Sequence, residues 1–193
     1  MTDIYEFVDI RNYKNPFSLS FLFKRVCWGF VQQTFFRCSF QFLYGWRRFL
    51  LRLFGAKIEK GVHVSNTCRL MAPWNLEMGH TSCLGPYTIV ENAGKVTIGQ
   101  MSTISQYSYI CTGTHDYTKK ENPLVIKPVT VGKGVWVCAN SFLAPGVNIG
   151  DLAVIGACSA VFKDMPENMV CSGNPCVPLK KRFENASAED VND

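Results

Sequence analysis

Aliphatic side chains recur at a fixed interval of six along much of the chain. Val125, Val131, Val137, Leu143, Ile149, Ile155 and Val161 follow one another without a miss, and shorter blocks keep the same interval at Ile98, Ile104, Ile110 and at Ile58, Val64, Leu70, Leu76. A period of six would smear these residues around a helix, and it does not match the strict alternation of a half-buried strand. It fits a chain that turns a corner every six residues and points one aliphatic inward per side. Three such sides close a triangular coil, and stacked coils align equivalent positions into internal ladders. Small or acidic residues often follow the aliphatic, as at Glu59, Glu77, Gly99, Gly132, Ala144, Gly150 and Gly156. The pattern predicts an all-β solenoid.

The blocks are out of phase, so the coil must be interrupted. The spacing between Leu76 and Ile98 predicts an insertion near Tyr87 to Lys95, and that between Ile110 and Val125 predicts a loop over Cys111 to Leu124. Loops projecting from a regular scaffold are where binding and catalysis concentrate. Before Ile58 the period changes. Phe42, Leu43, Trp46, Phe49, Leu50 and Leu53 form one stripe at helical spacing, Arg47, Arg48 and Arg52 lie on the other side, and Gly55 follows as a stop signal. This is an amphipathic helix expected to cap the open end of the solenoid. The aromatic stretch from Phe17 to Phe40 is apolar nearly all round and needs a cover. The expected division is a helical extension over 1–57, the solenoid over 58–178 and a basic, then acidic, tail over 179–193.

Composition narrows the class. With 193 residues, 47% hydrophobic and 18% charged, the chain can bury a sizeable core, which excludes disorder along its whole length. Its 9 Cys are odd in number and contain no C-x-x-C pair, and the first ten residues lack the basic start and apolar run of a secretion signal. The cysteines therefore read as small apolar fillers in a reducing cytoplasm. No uncharged apolar run reaches the roughly 18 residues of a bilayer-spanning helix. Between Arg11 and Lys57 there are nine Lys or Arg and no acid, whereas Phe183 to Asp193 holds four acids and no base. An anionic partner is expected at the first segment, and nothing in the pattern calls for nucleic acid.

The ladder, the loop Ile104-Ser-Gln-Tyr-Ser-Tyr-Ile-Cys-Thr-Gly-Thr-His-Asp-Tyr117, and the run from Pro145-Gly-Val-Asn-Ile-Gly-Asp151 through Lys163-Asp-Met-Pro-Glu-Asn168 to Gly173-Asn-Pro-Cys176 resemble the hexapeptide-repeat acetyltransferases. With Arg47-Arg-Phe-Leu-Leu-Arg-Leu-Phe-Gly-Ala-Lys-Ile58 included, the sequence is most similar to those of colanic acid and related exopolysaccharide biosynthesis, over roughly Phe42 to Arg182. The resemblance implies a left-handed parallel β-helix of about five coils with an N-terminal helical cap, assembled as a homotrimer. It also implies O-acetylation of a sugar hydroxyl from acetyl-CoA, with no metal, on a sugar or lipid-linked oligosaccharide acceptor.

Acetyl transfer to an alcohol requires removal of its proton as it attacks, a task suited to a neutral imidazole. His115 is the one His in the projecting loop, and the resemblance carries the catalytic base to it. Asp116 or a backbone carbonyl is expected to fix its tautomer. For the cofactor, the resemblance implies Ala139 and Ala157 against the thin pantetheine arm; Lys163 and Lys180-Lys181-Arg182 are bases that can hold its phosphates, and Trp136 is expected near the cofactor or at a subunit interface. Val177 replaces a phosphate-binding Arg common in related enzymes. In the acceptor segment an expected Asn and Asp are replaced by Gly85 and Ala93, which points to a different acceptor and leaves Tyr87, Glu91 and Asn92 as candidate sugar contacts. Asn174-Pro175 is a candidate turn with a cis bond.

Two other classes compete. Some proteins with this repeat are zinc carbonic anhydrases, which need three His ligands, but His63 and His80 occupy different phases of the hexad, and Lys120 stands where a further ligand is expected. A noncatalytic scaffold has no use for His115 in an out-of-phase loop. Last, the cations of residues 11–57, interleaved with Phe17, Phe21, Phe23, Trp28, Phe30, Phe35 and Phe36, give that segment the composition of a peripheral contact with an anionic membrane. The alternative is that these aromatics cover the solenoid end and a subunit interface.

Overall fold

From Lys57 onward the chain winds through short parallel strands on three faces, in a computed structural model that describes residues 4–184. The first face stacks Lys57–Ile58, Leu76–Met78, Val96–Ile98, Val129–Val131 and Asn148–Ile149. The third stacks Arg69–Leu70, Ile89–Glu91, Tyr109–Cys111, Phe142–Leu143 and Ala160–Val161. The second runs from His63–Val64 to Val154–Ile155 and one coil further to Met169–Gly173. The result is five complete coils and part of a sixth. Each turn points an aliphatic inward, so that Val64, Leu84, Ile104, Val137 and Ile155 form one continuous buried ladder.

The ladder departs from the expected phase in two respects. Met78, not Leu76, stacks on Ile58 and Ile98, while Leu76 stacks on Val96. The first-face strands from the second to the fourth coil are three residues long with two side chains inward, so the steps from Leu70 to Met78 and from Val90 to Ile98 are eight residues rather than six. The widening therefore lies in the approach to the first face: the step from Val90 to Ile98 overlaps the stretch Tyr87 to Lys95 where the spacing predicts an insertion, whereas the step from Leu70 to Met78, which contains a short 3-10 turn at Pro73–Asn75, is one it does not predict. Val125, expected in the ladder, instead lies half-buried in a hairpin outside the coil, and Val131 opens that ladder.

Close stacking of coils explains the small residue after the inward aliphatic. A Cβ on Gly79 would stand 2.6 Å from the Gln100 nitrogen, and one on Gly99 would collide with the Gly132 carbonyl of the next coil. At the following corner the backbone enters the left-handed region in every coil: Gly61, Thr81, Met101, Gly134, Leu152 and Asn168 have φ between 54° and 72°.

The helical segment caps the coil as expected, but with its faces reversed. Helices α1 (Leu19–Val31) and α2 (Tyr44–Leu53) are joined through a π-helical turn at Gln32–Phe36. The first coil ends in three edge strands whose backbone groups have no coil above them, and buried groups of this kind need partners. The cap supplies one set per face. Arg52 donates to the Ile58 carbonyl from Nε and Nη2, Arg47 Nε donates to Val64 at 2.6 Å, and Arg48 donates to Val62. On the third face Trp28 donates its indole N–H to the Leu70 carbonyl, and the Gln32 side-chain oxygen accepts from the Leu70 N–H. Arg47 is thus fully buried beside Leu51 and Leu50, Arg48 is half-buried and Arg52 reaches in from an exposed position, while of the expected apolar stripe Phe42, Trp46, Phe49 and Leu53 are exposed and only Leu50 is buried. An amphipathic helix ordinarily buries its apolar stripe. Here the hydrogen-bonding demand of the open edges decides the orientation.

At the other end, Met169–Gly173 and Cys176–Lys181 form an antiparallel hairpin around a cis Asn174–Pro175 bond. The second strand crosses the boundary expected at 178/179. Arg182 is turned back to the Gly134 and Leu152 carbonyls. The acidic stretch expected at the C-terminus falls almost wholly outside the described residues.

Candidate active site

The loop expected at Cys111 to Leu124 is an antiparallel hairpin that leaves the coil after the third face and re-enters it at the first. Gly113–His115 pairs with Leu124–Ile126, with His115 opposite Leu124. Asn122, in the left-handed region at φ 45°, brings its carbonyl to 2.6 Å from His115 Nδ1. A carbonyl only accepts, so this contact places the proton on Nδ1 and leaves Nε2 as the acceptor. Asp116 turns away from the imidazole: its Oδ1 accepts from the Thr118 N–H and hydroxyl, and its Oδ2 lies 3.7 Å from Lys119 Nζ. The Thr118 hydroxyl and N–H hold the Asp116 carboxyl below the usual range. Of the two alternatives open in the sequence, the group on Nδ1 is the backbone carbonyl.

The imidazole stands at the edge of a depression of about 490 Å3 lined by Ile10, Tyr13, Tyr117, Glu121 and Asn122. Two of these come from the start of the chain. The Asp9 N–H donates to the Lys120 carbonyl at 2.8 Å, and the Tyr13 ring centre lies 6.0 Å from that of His115. Asp9 is in turn locked to Arg11, whose guanidinium donates to both carboxylate oxygens. No spacing rule connects Tyr13 with His115, so these contributors were invisible in the sequence. The one local signal was Asn122-Pro123, a turn dipeptide.

The other candidate residues divide into groups. Glu91 pairs in register with Cys111, four residues before His115. Burial pushes the neighbouring Tyr109 hydroxyl up to about 12, with Cys111 and Glu91 adding to the effect. Tyr87 is exposed at the corner between the second and third faces and stacks on Tyr107, with ring centres 5.1 Å apart. Asn92 is placed differently from a sugar contact: it is 0% exposed, and its amide is committed to the Ala72 N–H and carbonyl, where it stitches two coils together.

Ala139 and Ala157 stand one coil apart at that same corner, with the Cys158 N–H bonded to the Ala139 carbonyl. Trp136 lies outward on the second face and donates to the Ser105 hydroxyl. Lys163 is exposed just beyond the third face, and Lys180 lies in the terminal hairpin opposite Val170. His115, in the hairpin that follows the third face, and the Ala139/Ala157 corner, which precedes it, therefore lie off opposite edges of that face. His63 stacks on Tyr44, and His80 Nδ1 lies 2.7 Å from the Thr81 hydroxyl. Among the described residues no three His, Cys, Asp or Glu gather as metal ligands.

No family model matches the chain. Individual relatives do. The protein named colanic acid biosynthesis acetyltransferase WcaF of Escherichia coli K12 is 45% identical over 157 residues, 81% of this chain and 86% of its own length. The galactoside O-acetyltransferase of the same organism is 40% identical over 97 residues, 49% of this chain and 47% of its own. Among solved structures, a galactoside acetyltransferase in complex with coenzyme A superposes with a TM-score of 0.80 at 25% identity, covering 91% of this chain and 90% of that one. A maltose O-acetyltransferase from Clostridium difficile gives 0.77 at 27%, covering 86% and 90%. The coil described above is the left-handed parallel β-helix of these neighbours. By its repeat, its fold and its identity to WcaF along four fifths of its length, the chain belongs to the hexapeptide-repeat acetyltransferases, in the branch of the colanic acid biosynthesis enzymes.

Proposed function

We propose that the protein is an acetyl-CoA-dependent O-acetyltransferase of a sugar hydroxyl, working in the cytoplasm in the biosynthesis of an exopolysaccharide, capsule or lipopolysaccharide, with His115 as general base. The observation that carries this reading is the His115 Nδ1 contact with the Asn122 carbonyl at the edge of an accessible depression. It holds the ring in the tautomer a general base needs.

The fit to acetyl-CoA rests on the corner where two alanines follow each other in successive coils, so that no large side chain keeps a thin ligand from the backbone. Ala139, Ala157 and Trp136 would hold the pantetheine arm, and Lys163 and Lys180 the phosphates. The thioester supplies an activated acetyl carbon. His115 Nε2 takes the proton of the acceptor hydroxyl as that oxygen bonds to the acetyl carbon, then returns it to the departing thiolate as the C–S bond breaks. A backbone N–H steadies the oxygen of the tetrahedral centre. Because the base and the alanine corner lie at opposite edges of one face, a complete site requires the hairpin of one subunit against the corner of the next. A closed homotrimer provides that arrangement.

Tyr13, Tyr117 and Glu121 surround the acceptor position, with Glu91 on the hairpin side and Tyr87 on the cofactor side. A sugar or lipid-linked oligosaccharide fits aromatic faces interleaved with a carboxylate. Acetyl-CoA consumption measured against nucleotide sugars, free glycosides and lipid-linked oligosaccharides tests the reading, with mass spectrometry separating O- from N-acetylation. An acetylated hydroxyl formed by the wild type and lost in His115→Ala supports it. Product formed at the wild-type rate by that variant overturns the role of His115.

A further inference from the structure

We propose that the outward faces of α1 and α2 form one continuous surface that seats the protein on an anionic lipid bilayer, with both helices lying in the plane of the interface. On α1, Leu19, Phe23, Val26 and Phe30 are between 65% and 85% exposed and follow a 4-3-4 spacing, which is one side of a helix. Phe42, just before α2, and Trp46, Phe49 and Leu53 on it repeat the same spacing and are between 40% and 73% exposed. The two stripes are joined. Phe30 meets Phe35, Trp46 meets Phe49, and Phe35, Phe40, Leu43 and Trp46 line a shallow apolar depression of about 650 Å3 between the helices. Exposed apolar areas of this extent mark contact with a protein or a membrane.

Three observations select the bilayer. First, two side-chain donors within the patch are already turned onto backbone: the Trp46 indole N–H donates to the Phe35 carbonyl at 3.0 Å and the Thr34 hydroxyl to Phe30 at 2.8 Å. Such a surface enters an apolar medium without stranding these donors. Second, the charge is one-sided. No acid occurs between Arg11 and Lys57, and besides Arg47, Arg48 and Arg52, which donate to carbonyls, Lys14, Lys24, Arg25 and Arg37 are exposed on the same segment. A cationic segment that carries an aromatic face is complementary to anionic headgroups and offers no acid of its own to a basic protein partner. Third, α1 and α2 have 13 and 10 residues and rise about 20 and 15 Å at 1.5 Å per residue, well short of the roughly 30 Å hydrocarbon core. No helix among the described residues is long and apolar enough to cross a membrane. The helices lie on the surface rather than enter it end-on.

The test uses the full chain without acetyl-CoA or acceptor, so it reads binding alone and stands apart from the proposed activity. Co-sedimentation is measured with vesicles of phosphatidylcholine and of phosphatidylcholine with phosphatidylglycerol, at low and high salt. Binding to the anionic vesicles that falls with salt is expected. Phe23→Ser/Phe49→Ser should weaken it by about tenfold or more with an unchanged circular dichroism spectrum, and Lys24→Glu/Arg37→Glu should abolish the preference for anionic lipid. Wild-type protein that stays in the supernatant with anionic vesicles at low salt overturns the proposal. So does a Phe23→Ser/Phe49→Ser variant whose assembly in solution is smaller than the wild type, because the face would then join copies of this chain.

Discussion

Arg47 Nε donates to the Val64 carbonyl at 2.6 Å, and the rest of the same guanidinium donates to the Ser39 hydroxyl and to the Phe40 and Gln41 carbonyls. The residue is 0% exposed and has carbonyls and a hydroxyl around it rather than a carboxylate, so burial lowers its pKa. A charge so placed is tolerable because its donors are spent on carbonyl dipoles, and those carbonyls are satisfied in turn. Arg47→Ala removes the partner of several buried acceptors at once. It should destabilise the protein by about 3 kcal/mol or more, visible as a lower urea midpoint. Arg47→Lys, with one point charge in place of the planar fork, should recover only part of the loss.

His115→Ala should lower turnover by about 10²-fold or more, whereas Cys111→Ser should leave it near the wild-type value. Cys111 Sγ donates to the Gly113 carbonyl within its own strand and hairpin, a structural contact. Loss of turnover in Cys111→Ser with full activity in His115→Ala would reverse the assignment and indicate an acetyl-enzyme.

The Asn122 carbonyl position depends on a backbone in the left-handed region. Asn122→Gly keeps that conformation accessible, and Asn122→Val opposes it. Turnover should persist in the first and fall about tenfold or more in the second, because the Nδ1 partner has moved. Equal turnover in both variants would remove the carbonyl from the catalytic account.

The Arg11 side chain holds the Asp9 carboxyl at about 2, well below its ordinary 3.8. A carboxylate with a depressed folded pKa contributes above its unfolded pKa, and the contribution is lost as pH falls toward the folded one. The segment that brings Tyr13 to His115 should therefore stay docked above about pH 4 and loosen between about pH 4 and 2. Amide exchange of Asp9, which donates to Lys120, measures this. Asp9→Asn should flatten the response in that window.

Burial pushes the Cys68 thiol up to about 12. Its raised folded pKa makes the contribution complete below the unfolded value near 9 and progressively lost above it, since the unfolded chain ionises first. Wild-type stability should therefore fall more steeply than that of Cys68→Ala as pH rises from about 9 to 11, by roughly 1–2 kcal/mol over that range. Parallel melting curves against pH would show that the thiol stays accessible to solvent.

The hexad determined the solenoid, because a side with one inward aliphatic must repeat at the length of the side. It also determined that the chain leaves the coil after Ile110, and with that the exposure of His115, although the hairpin runs past the expected Leu124 to Ile126. The sequence left open matters that depend on what stands opposite a residue. Asn92 reads as a polar loop side chain until the Ala72 backbone is seen to need both ends of its amide. The first eight-residue step was hidden because Leu76 and Met78 are both apolar and both buried, so either could have kept the phase. Tyr13 meets His115 only because the start of the chain folds back across a hundred residues. The clearest case is α2. Its periodicity defined an apolar side and an arginine side, and hydrophobicity alone predicts which is buried, yet the first coil presents three open edges whose carbonyls require donors. The arginines meet that demand, and the aromatic side is left facing out.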